Sequence, residues 1–184
     1  MKSVLVIELA SLSKKLLDST MLFFREDGIQ IREAILSEAS STSAHIIVLD
    51  FRDIKVIDFS CSDEIVVMLQ ENNEWLNGKK IYLKNLTTSH KENIHSALEM
   101  KKLGVWIKEE HGYHVIGKLP KHLLQLVRTV MNYKECTARH ISNDTGEELT
   151  SISVKLGKLY KKGMLLRKES KTSEGMEYVY QSIV

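Results

Sequence analysis

Short apolar runs and helical repeats alternate through the first 119 residues of the chain. The run at residues 45–51 is almost continuously apolar, which is typical of a strand buried on both faces. Further strand-like runs lie at residues 4–9, 80–84 and 103–108. Helical spacing of apolar residues marks the segments 11–37 (with interruptions), 60–73 and 88–101. This alternation predicts an α/β sandwich around a sheet that is at least partly parallel.

The pattern changes at Pro120, the only proline, which suits the first turn of a helix. The inward stripe predicted for this helix is Leu123, Leu124, Val127, Val130 and Met131. A short second helix is predicted to begin at Thr137 and to stop near Gly146. A third is predicted over about residues 149–162, with Gly163 after it.

Two strand-like runs follow the third helix, Met164–Lys168 and Glu177–Ile183, around a polar loop at residues 170–175. Before Pro120, a polar stretch that contains glycine predicts a domain boundary near residues 110–118. We therefore predict one domain over residues 1–112 and a second over residues 119–184.

Charge is distributed unevenly between these two parts. The chain has 26 Lys and Arg against 24 Asp and Glu, a net charge of +2. Residues 121–184 hold 11 basic and 7 acidic residues, a net charge of +4, whereas residues 1–120 hold 15 and 17, a net charge of −2. A basic C-terminal third favours polyanionic partners, although a charge of +4 does not by itself identify a DNA-binding protein.

Two cysteines, Cys61 and Cys136, are far apart and lack metal-ligand spacing. We expect both to be free thiols in a reducing compartment, the cytoplasm. No apolar run approaches the roughly 18–20 residues that span a bilayer, so no membrane association is expected. The N-terminal apolar run at residues 4–9 reads as a strand and not as a signal peptide.

Residues 120–184 resemble a winged helix-turn-helix domain. The segment KKGMLLRK at residues 161–168 resembles the ending of the third helix in bacterial regulators of the multiple-antibiotic-resistance-repressor type. The resemblance implies an α+β domain that lays its third helix in the major groove of double-stranded DNA and uses the following hairpin as a wing.

In the third predicted helix, Ile152, Leu156 and Leu159 repeat at helical spacing and therefore face the core. The residues of this helix that do not face the core are the candidates for contact with DNA: Thr150, Ser151, Ser153, Val154, Lys155 and Lys158. Hydroxyl groups contact phosphates or base edges, and lysines neutralise phosphate. In the wing, Arg167 and Lys171 are candidates for contact with the minor groove or the backbone. Protein docking is the alternative, because the recognition face lacks arginine and the wing carries Glu174 and Glu177.

The stretch VLDFRDIKVIDFSCSDE at residues 48–64 resembles the signature of STAS and STAS-like domains, the fold of anti-sigma-factor antagonists. Gly78–Leu86 resembles the next strand and loop, and Phe24–Gly28 with the helix after it resembles the STAS-like subgroup. The similarity covers roughly residues 3–108. It implies a domain for protein interaction that binds no nucleotide and carries out no catalysis.

Ser60 matches the serine that is phosphorylated in antagonists of this kind, where the phosphate switches partner binding. A phosphate is favoured at a helix N-terminus, but it would meet repulsion from nearby carboxylates, those of Asp58, Asp63 and Glu64. The sequence also departs from the family pattern, with Phe59 before the serine and Cys61 where glycine is common. The alternative is that Ser60 caps the N-terminus of its helix.

Nothing in the sequence indicates an enzyme. The glycine motifs that bind phosphates in nucleotide-binding proteins are absent. The pairs His111 with His114 and His90 with His95 lack the neighbours that a zinc site requires. We expect no catalytic residue, no metal and no cofactor.

Two functions remain. The first is a DNA-binding transcriptional regulator, in which the STAS-like domain senses a signal or binds a regulatory protein and the winged helix reads DNA. A homodimer would suit paired half-sites. The second is a protein-binding switch of the anti-sigma-antagonist type, phosphorylated at Ser60, in which the winged helix docks protein.

Overall fold

The computed structural model describes residues 3–173 and 175–184, and its contacts divide the chain into two compact units, Met1–Lys118 and Leu119–Val184. In the first unit, one sheet contains β1 (Val4–Glu8), β3 (Ile46–Asp50), β5 (Lys80–Lys84), β6 (Gly104–Glu109) and β7 (Gly112–Gly117), in that order. The first four strands are parallel and β7 is antiparallel to β6. Two short strands, β2 (Met21–Leu22) and β4 (Val56–Ile57), form a separate parallel pair. The prediction of an α/β fold around a sheet that is at least partly parallel is confirmed.

Strand β7 occupies a stretch that the sequence indicates as a boundary between domains. Glu109 pairs with Gly112 across a two-residue turn, so β6 and β7 form a hairpin within the first unit. Gly112 and Gly117 have φ angles of 133° and 91°, which favour glycine. At Gly117 a Cβ atom would lie 2.3 Å from the carbonyl oxygen of Leu103. These glycines permit a tight hairpin, whereas the sequence pattern presents them as linker residues.

Along the sequence, the helices of the first unit alternate with its strands. They are α1 (Leu9–Leu17), α2 (Arg25–Ser40), α3 (Phe59–Ser62), α4 (Met68–Glu71) and α5 (Thr88–Met100). A π-helical turn, Asp63–Val67, joins α3 to α4. This turn interrupts the regular helix predicted at residues 60–73. Residues 64–67 of this turn are all buried, and the turn contacts both α2 and α5.

The core of the first unit lies on one face of the five-stranded sheet. Alternate strand residues contribute to it, namely Ile47, Leu49, Ile81, Leu83, Val105 and Ile107. The helices cover this face with apolar residues four positions apart: Ile31 and Ile35 of α2 and Ile94 and Leu98 of α5 are all fully buried.

The second unit contains three helices and a three-stranded antiparallel sheet. Its elements are α6 (Lys121–Tyr133), β8 (Glu135–Thr137), α7 (Ala138–Thr145), α8 (Leu149–Lys161), β9 (Leu165–Thr172) and β10 (Gly175–Ser182). The last strand, β10, is central and pairs with both β8 and β9. Strand β8 is absent from the sequence prediction. Strand β9 extends to Thr172 and takes up much of the predicted polar loop, while Glu174 lies outside the described residues.

The predicted inward stripe of α6 is correct at Leu123, Val127 and Val130, which are buried. Leu126 is buried as well, although it is absent from the predicted stripe, and Leu124 and Met131 are only half-buried. Both cysteines, Cys61 and Cys136, are free and buried. None of the helices within residues 3–173 and 175–184 is both long enough and apolar enough to cross a membrane.

Candidate nucleic-acid interface

Helix α8 has one packed face and one solvent-facing side. Its core residues are Ile152, Leu156 and Leu159, which are 1% exposed or less. Of the predicted contact residues on this helix, Thr150, Ser153, Val154 and Lys158 are exposed, while Ser151 and Lys155 are half-buried. Val154, in the middle of the helix, is 52% exposed. The helix therefore presents hydroxyl groups, a small apolar group and a lysine ammonium to solvent.

Caps and a tight connection set the position of α8 relative to α7. Thr137 begins α7, because its Oγ1 accepts a hydrogen bond from the backbone N–H of His140 at 3.2 Å. Gly146 ends α7 with a φ angle of 73°. The Ser142 hydroxyl donates to the carbonyl oxygen of Glu147 at 2.7 Å and so holds the connection. The end points predicted for α7 from the sequence agree with these caps.

Lys155 forms an ion pair with Glu147 of the connection. Its ammonium group therefore has a local counterion, and a phosphate has to displace the Glu147 carboxylate to take its place. Lys158 lies one turn further on and is exposed. The two lysines of the predicted interface thus differ in how readily they contact a polyanion.

The guanidinium group of Arg167 lies between two aromatic rings. Its Cζ atom is 4.1 Å from the ring centre of Tyr160 and 4.0 Å from that of Tyr178. Cation–π contacts of this kind fix the side chain and join the end of α8 to the hairpin of β9 and β10. Arg167 therefore lies in a stacked position at the base of the hairpin. Lys171 is exposed further along β9, opposite Met176.

A groove of about 460 Å³ lies between the start of α8 and the hairpin. Leu149 and Ser153 of α8 line it on one side, and Met176 and Tyr178 of β10 line it on the other. Arg139 of α7 also lines it. Helix α8 itself contains no arginine, and Arg139 reaches the groove from α7, the helix before it.

The groove also contains residues that the sequence pattern does not single out. Arg139 is the second residue of α7, and Met176 is 59% exposed on β10. A cation and apolar side chains around one groove are typical of a surface that binds another macromolecule. The only signal in the sequence is the position of Arg139 two residues after the capping threonine, Thr137.

Comparisons with protein-family models, with curated proteins and with solved structures return no match for this chain.

The surroundings of Ser60 in the first unit differ from the expected cap. Asp58 is the N-cap of α3, since its Oδ1 accepts a hydrogen bond from the backbone N–H of Cys61 at 2.8 Å. Ser60 is the second residue of the helix and is half-buried. The interpretation of Ser60 as the helix cap is therefore wrong, because the side chain of Asp58 already occupies that role.

Arginines neutralise two of the carboxylates near Ser60. Arg25 contacts Asp63 at 3.1 Å and also contacts Glu64. Arg32, which is 11% exposed, forms a second ion pair with Glu64. These pairs reduce the negative potential that the sequence suggests around Ser60.

Cys61 follows Ser60 but faces inward. It is fully buried, and its Sγ donates to the carbonyl oxygen of Phe24 at 3.0 Å. Burial, together with the charge of Asp58, raises the pKa of the Cys61 thiol to about 12. A thiol with such a pKa is a weak nucleophile and serves as a small core residue.

Proposed function

We propose that Leu119–Val184 is a winged helix-turn-helix domain that binds double-stranded DNA, and that the chain is a transcriptional regulator. The order of elements in this unit, with a strand after the first helix and a hairpin after the third, supports the proposal. The single observation that carries it is the solvent-facing side of α8, where Ser153, Val154 and Lys158 are exposed beside the groove that Arg139 lines. Such a surface suits contact with phosphates and base edges.

The first unit is proposed to be a STAS-like domain that senses a signal or binds a regulatory protein. Its parallel sheet and covering helices are compatible with this fold. A homodimer is proposed as well, because two copies of α8 would then meet paired half-sites on the duplex. Light scattering at several protein concentrations tests the dimer.

Binding to mixed-sequence duplex DNA, measured by fluorescence anisotropy over a range of salt concentrations, tests the main proposal. We expect affinity to fall steeply with salt, because lysines release counterions from the phosphates. The double variant Lys155→Ala with Lys158→Ala is expected to reduce the slope of log K against log salt by about two, at about 0.9 per phosphate contact.

The matched control is Lys14→Ala with Lys15→Ala. Both lysines are exposed on α1 in the first unit, so this variant changes the net charge by the same amount. It is expected to bind DNA like the unaltered chain. Binding that is absent or insensitive to salt, or an equal loss in both double variants, would contradict the proposal.

One observation favours the second candidate function, a protein-binding switch. Phe24 and Phe59 are 67% and 38% exposed, and Arg25 follows Phe24 at the start of α2. Exposed aromatic residues with arginine are common at the centres of protein interfaces. Incubation with cell extract and ATP, followed by mass spectrometry, tests whether Ser60 becomes phosphorylated. If the peptide that contains Ser60 stays unmodified under conditions that label a control antagonist, phosphorylation is no longer part of this second candidate function.

A further inference from the structure

A crevice of about 730 Å³ opens in the first unit where β3, β5 and β6 end. These strands are parallel, so their carboxyl ends meet at one edge of the sheet. Small ligands of open α/β sheets bind at this edge, and the volume lies in the usual range for such sites, roughly 300–1,000 Å³. The crevice is separate from Ser60 and lies wholly within the first unit.

A buried carboxylate organises the floor of the crevice. Asp50, the last residue of β3, is 4% exposed and accepts hydrogen bonds from the backbone N–H of Arg52 at 3.0 Å and from the Asn85 amide at 2.6 Å. Its other oxygen lies 3.0 Å from the ammonium of Lys84. Burial acts to raise the pKa of Asp50, yet these hydrogen bonds leave it lowered. The carboxylate thus remains charged and fixes the loops after β3 and β5.

The backbone of these loops is also constrained. Asn85, directly after β5, has a φ angle of 59°, and Asp53, after β3, has one of 64°. Asparagine and aspartate adopt this left-handed conformation more readily than other residues with a side chain, because their short polar groups form local hydrogen bonds. The Asn85 side chain is held by its hydrogen bond to Asp50. This bond ties the loop after β5 to the end of β3.

The charges that line the crevice are only partly compensated. Asp50 is the counterion of Lys84, while Glu109 lies 2.7 Å from Lys91 and 3.5 Å from the Nε2 atom of His114. Two cations and one carboxylate remain, all exposed: Arg52 after β3, Lys108 on β6 and Glu110 in the turn after β6. Lys108 also lies over the ring of Tyr113, 6.0 Å from its centre.

The spacing of the strands sets the distance between the backbone of Lys108 and the end of β3, two residues before Arg52. Lys108 pairs with Lys84, which pairs with Asp50, so Lys108 is two strands away from β3. Two strand spacings amount to about 10 Å. A small molecule with more than one oxyanion group spans such a distance. Glu110 in the turn and the imidazoles of His111 and His114 complete the polar rim.

We propose that this crevice binds a small polyanion of the phosphate or carboxylate class, held between Arg52 and Lys108 with the Asn85 side chain below it. A guanidinium contacts such a group through two parallel hydrogen bonds, and an ammonium acts as a point charge. The inference does not depend on DNA binding, since it concerns the first unit alone.

Titration of the full-length ¹⁵N-labelled chain by NMR at constant ionic strength tests this site, with pyrophosphate and citrate as separate probes. We expect saturable shifts of the backbone amides of Arg52, Asn85 and Lys108 with at least one probe. The probe that binds more tightly identifies the phosphate or the carboxylate class. The variant Arg52→Ala with Lys108→Ala is expected to weaken this binding at least tenfold, because both side chains are exposed and their loss leaves the bonds to Asp50 intact.

The control is Lys14→Ala, an exposed lysine on α1, which is expected to leave the titration unchanged. Shifts confined to α8 and the hairpin would place the anion on the second unit and overturn the proposal. Shifts that do not saturate with either probe, or equal affinity in the double variant and the unaltered chain, would overturn it as well. None of these results bears on whether the second unit binds DNA.

Discussion

At the scale of single residues, the ion pair between Lys155 and Glu147 controls how much positive charge α8 offers to a duplex. Removing the Glu147 carboxylate frees the ammonium of Lys155 for a phosphate. We therefore predict that Glu147→Gln binds DNA several-fold more tightly at low salt, because Lys155 no longer has to leave a carboxylate, and that the slope of log K against log salt stays the same, because the number of phosphate contacts is unchanged. Anisotropy titrations at three or more salt concentrations measure both quantities.

Glu148→Gln is the matched control for this prediction. Glu148 is exposed, is adjacent in sequence and makes no side-chain cap at the start of α8. The Glu148→Gln variant changes the net charge by the same amount and leaves the ion pair between Lys155 and Glu147 intact. If both variants bind equally tightly, the gain comes from overall charge and the role assigned to the ion pair is wrong.

His90 makes the first unit sensitive to mild acid. Its ring is fully buried, and its Nδ1 accepts a hydrogen bond from the backbone N–H of Thr87 at 3.2 Å, which completes the capping box of α5. Burial lowers the pKa of His90 below its value of 6.5 in the unfolded chain. The unfolded chain therefore binds the proton first, and stability falls as the pH drops below that value.

We predict that the free energy of unfolding decreases between about pH 7 and pH 5.5, with a slope of at most about 1.4 kcal/mol per pH unit for this one proton. His90→Gln keeps an acceptor for the Thr87 amide but does not titrate, so it is expected to flatten the dependence. Urea unfolding followed by circular dichroism at several pH values measures it. The same slope in both proteins would assign the effect to other groups.

At the scale of secondary-structure elements, the close approach of α2 to the helix after β4 depends on one glycine. A Cβ atom at Gly28 would lie 2.8 Å from the Cβ of Glu64 and 3.1 Å from the Cα of Cys61. We predict that Gly28→Ala destabilises the chain by about 1–3 kcal/mol, because the added methyl forces these helices apart. Urea unfolding gives the free energy.

The same substitution at Gly157 is expected to change the free energy of unfolding in the opposite direction. A Cβ atom there meets no other atom within 4 Å, and the residue lies in the middle of α8. Gly157→Ala should therefore stabilise the second unit by about 0.5–1 kcal/mol through helix propensity. A loss of stability in Gly157→Ala, or none in Gly28→Ala, would contradict this account of the helix contacts.

The elements that the sequence predicts well are those with one strong, local signal. Strands β3 and β5 are dense in apolar residues, and α8 repeats its core residues at helical spacing between a polar start and Gly163. Strands that form only because another strand pairs with them cannot be predicted from the local sequence pattern. Strand β8 has three residues and exists because β10 pairs with it, and β7 consists largely of polar and glycine residues held by β6.

The candidate site follows the same rule. Exposure of Thr150, Ser153 and Lys158 follows from the period of α8 alone. The pairing of Lys155 with Glu147 and the stacking of Arg167 depend on side chains from other elements, so the sequence pattern does not reveal them. Asp58 takes the cap position expected for Ser60, because the helix begins at Phe59 and the Asp58 carboxylate accepts the backbone N–H of Cys61.

At the scale of the whole molecule, each unit contains one buried thiol. Cys61 lies in the first unit and Cys136 in the second, and burial raises their pKa values to about 12 and about 11. Both are therefore expected to be unreactive toward a thiol reagent at about pH 8 until their unit opens.

We predict that, in increasing urea, the two cysteines become reactive at different concentrations, as identified by peptide mass spectrometry. Gly28→Ala is expected to shift the labelling of Cys61 to lower urea and to leave that of Cys136 unchanged, since Gly28 lies in the first unit. Gly157→Ala is expected to affect only Cys136. Labelling of both thiols together at every urea concentration would show that the chain unfolds as one cooperative body.

The central position of β10 has a consequence for synthesis on the ribosome. Because β8 and β9 are joined only through residues 175–182, their sheet remains incomplete until that segment has left the exit tunnel. The three preceding helices emerge earlier and lack the strand that covers part of α6, whereas the N-terminal sheet already has all of its strands. A nascent chain arrested before that segment emerges would therefore carry a complete first unit and an incomplete second unit that is open to chaperones.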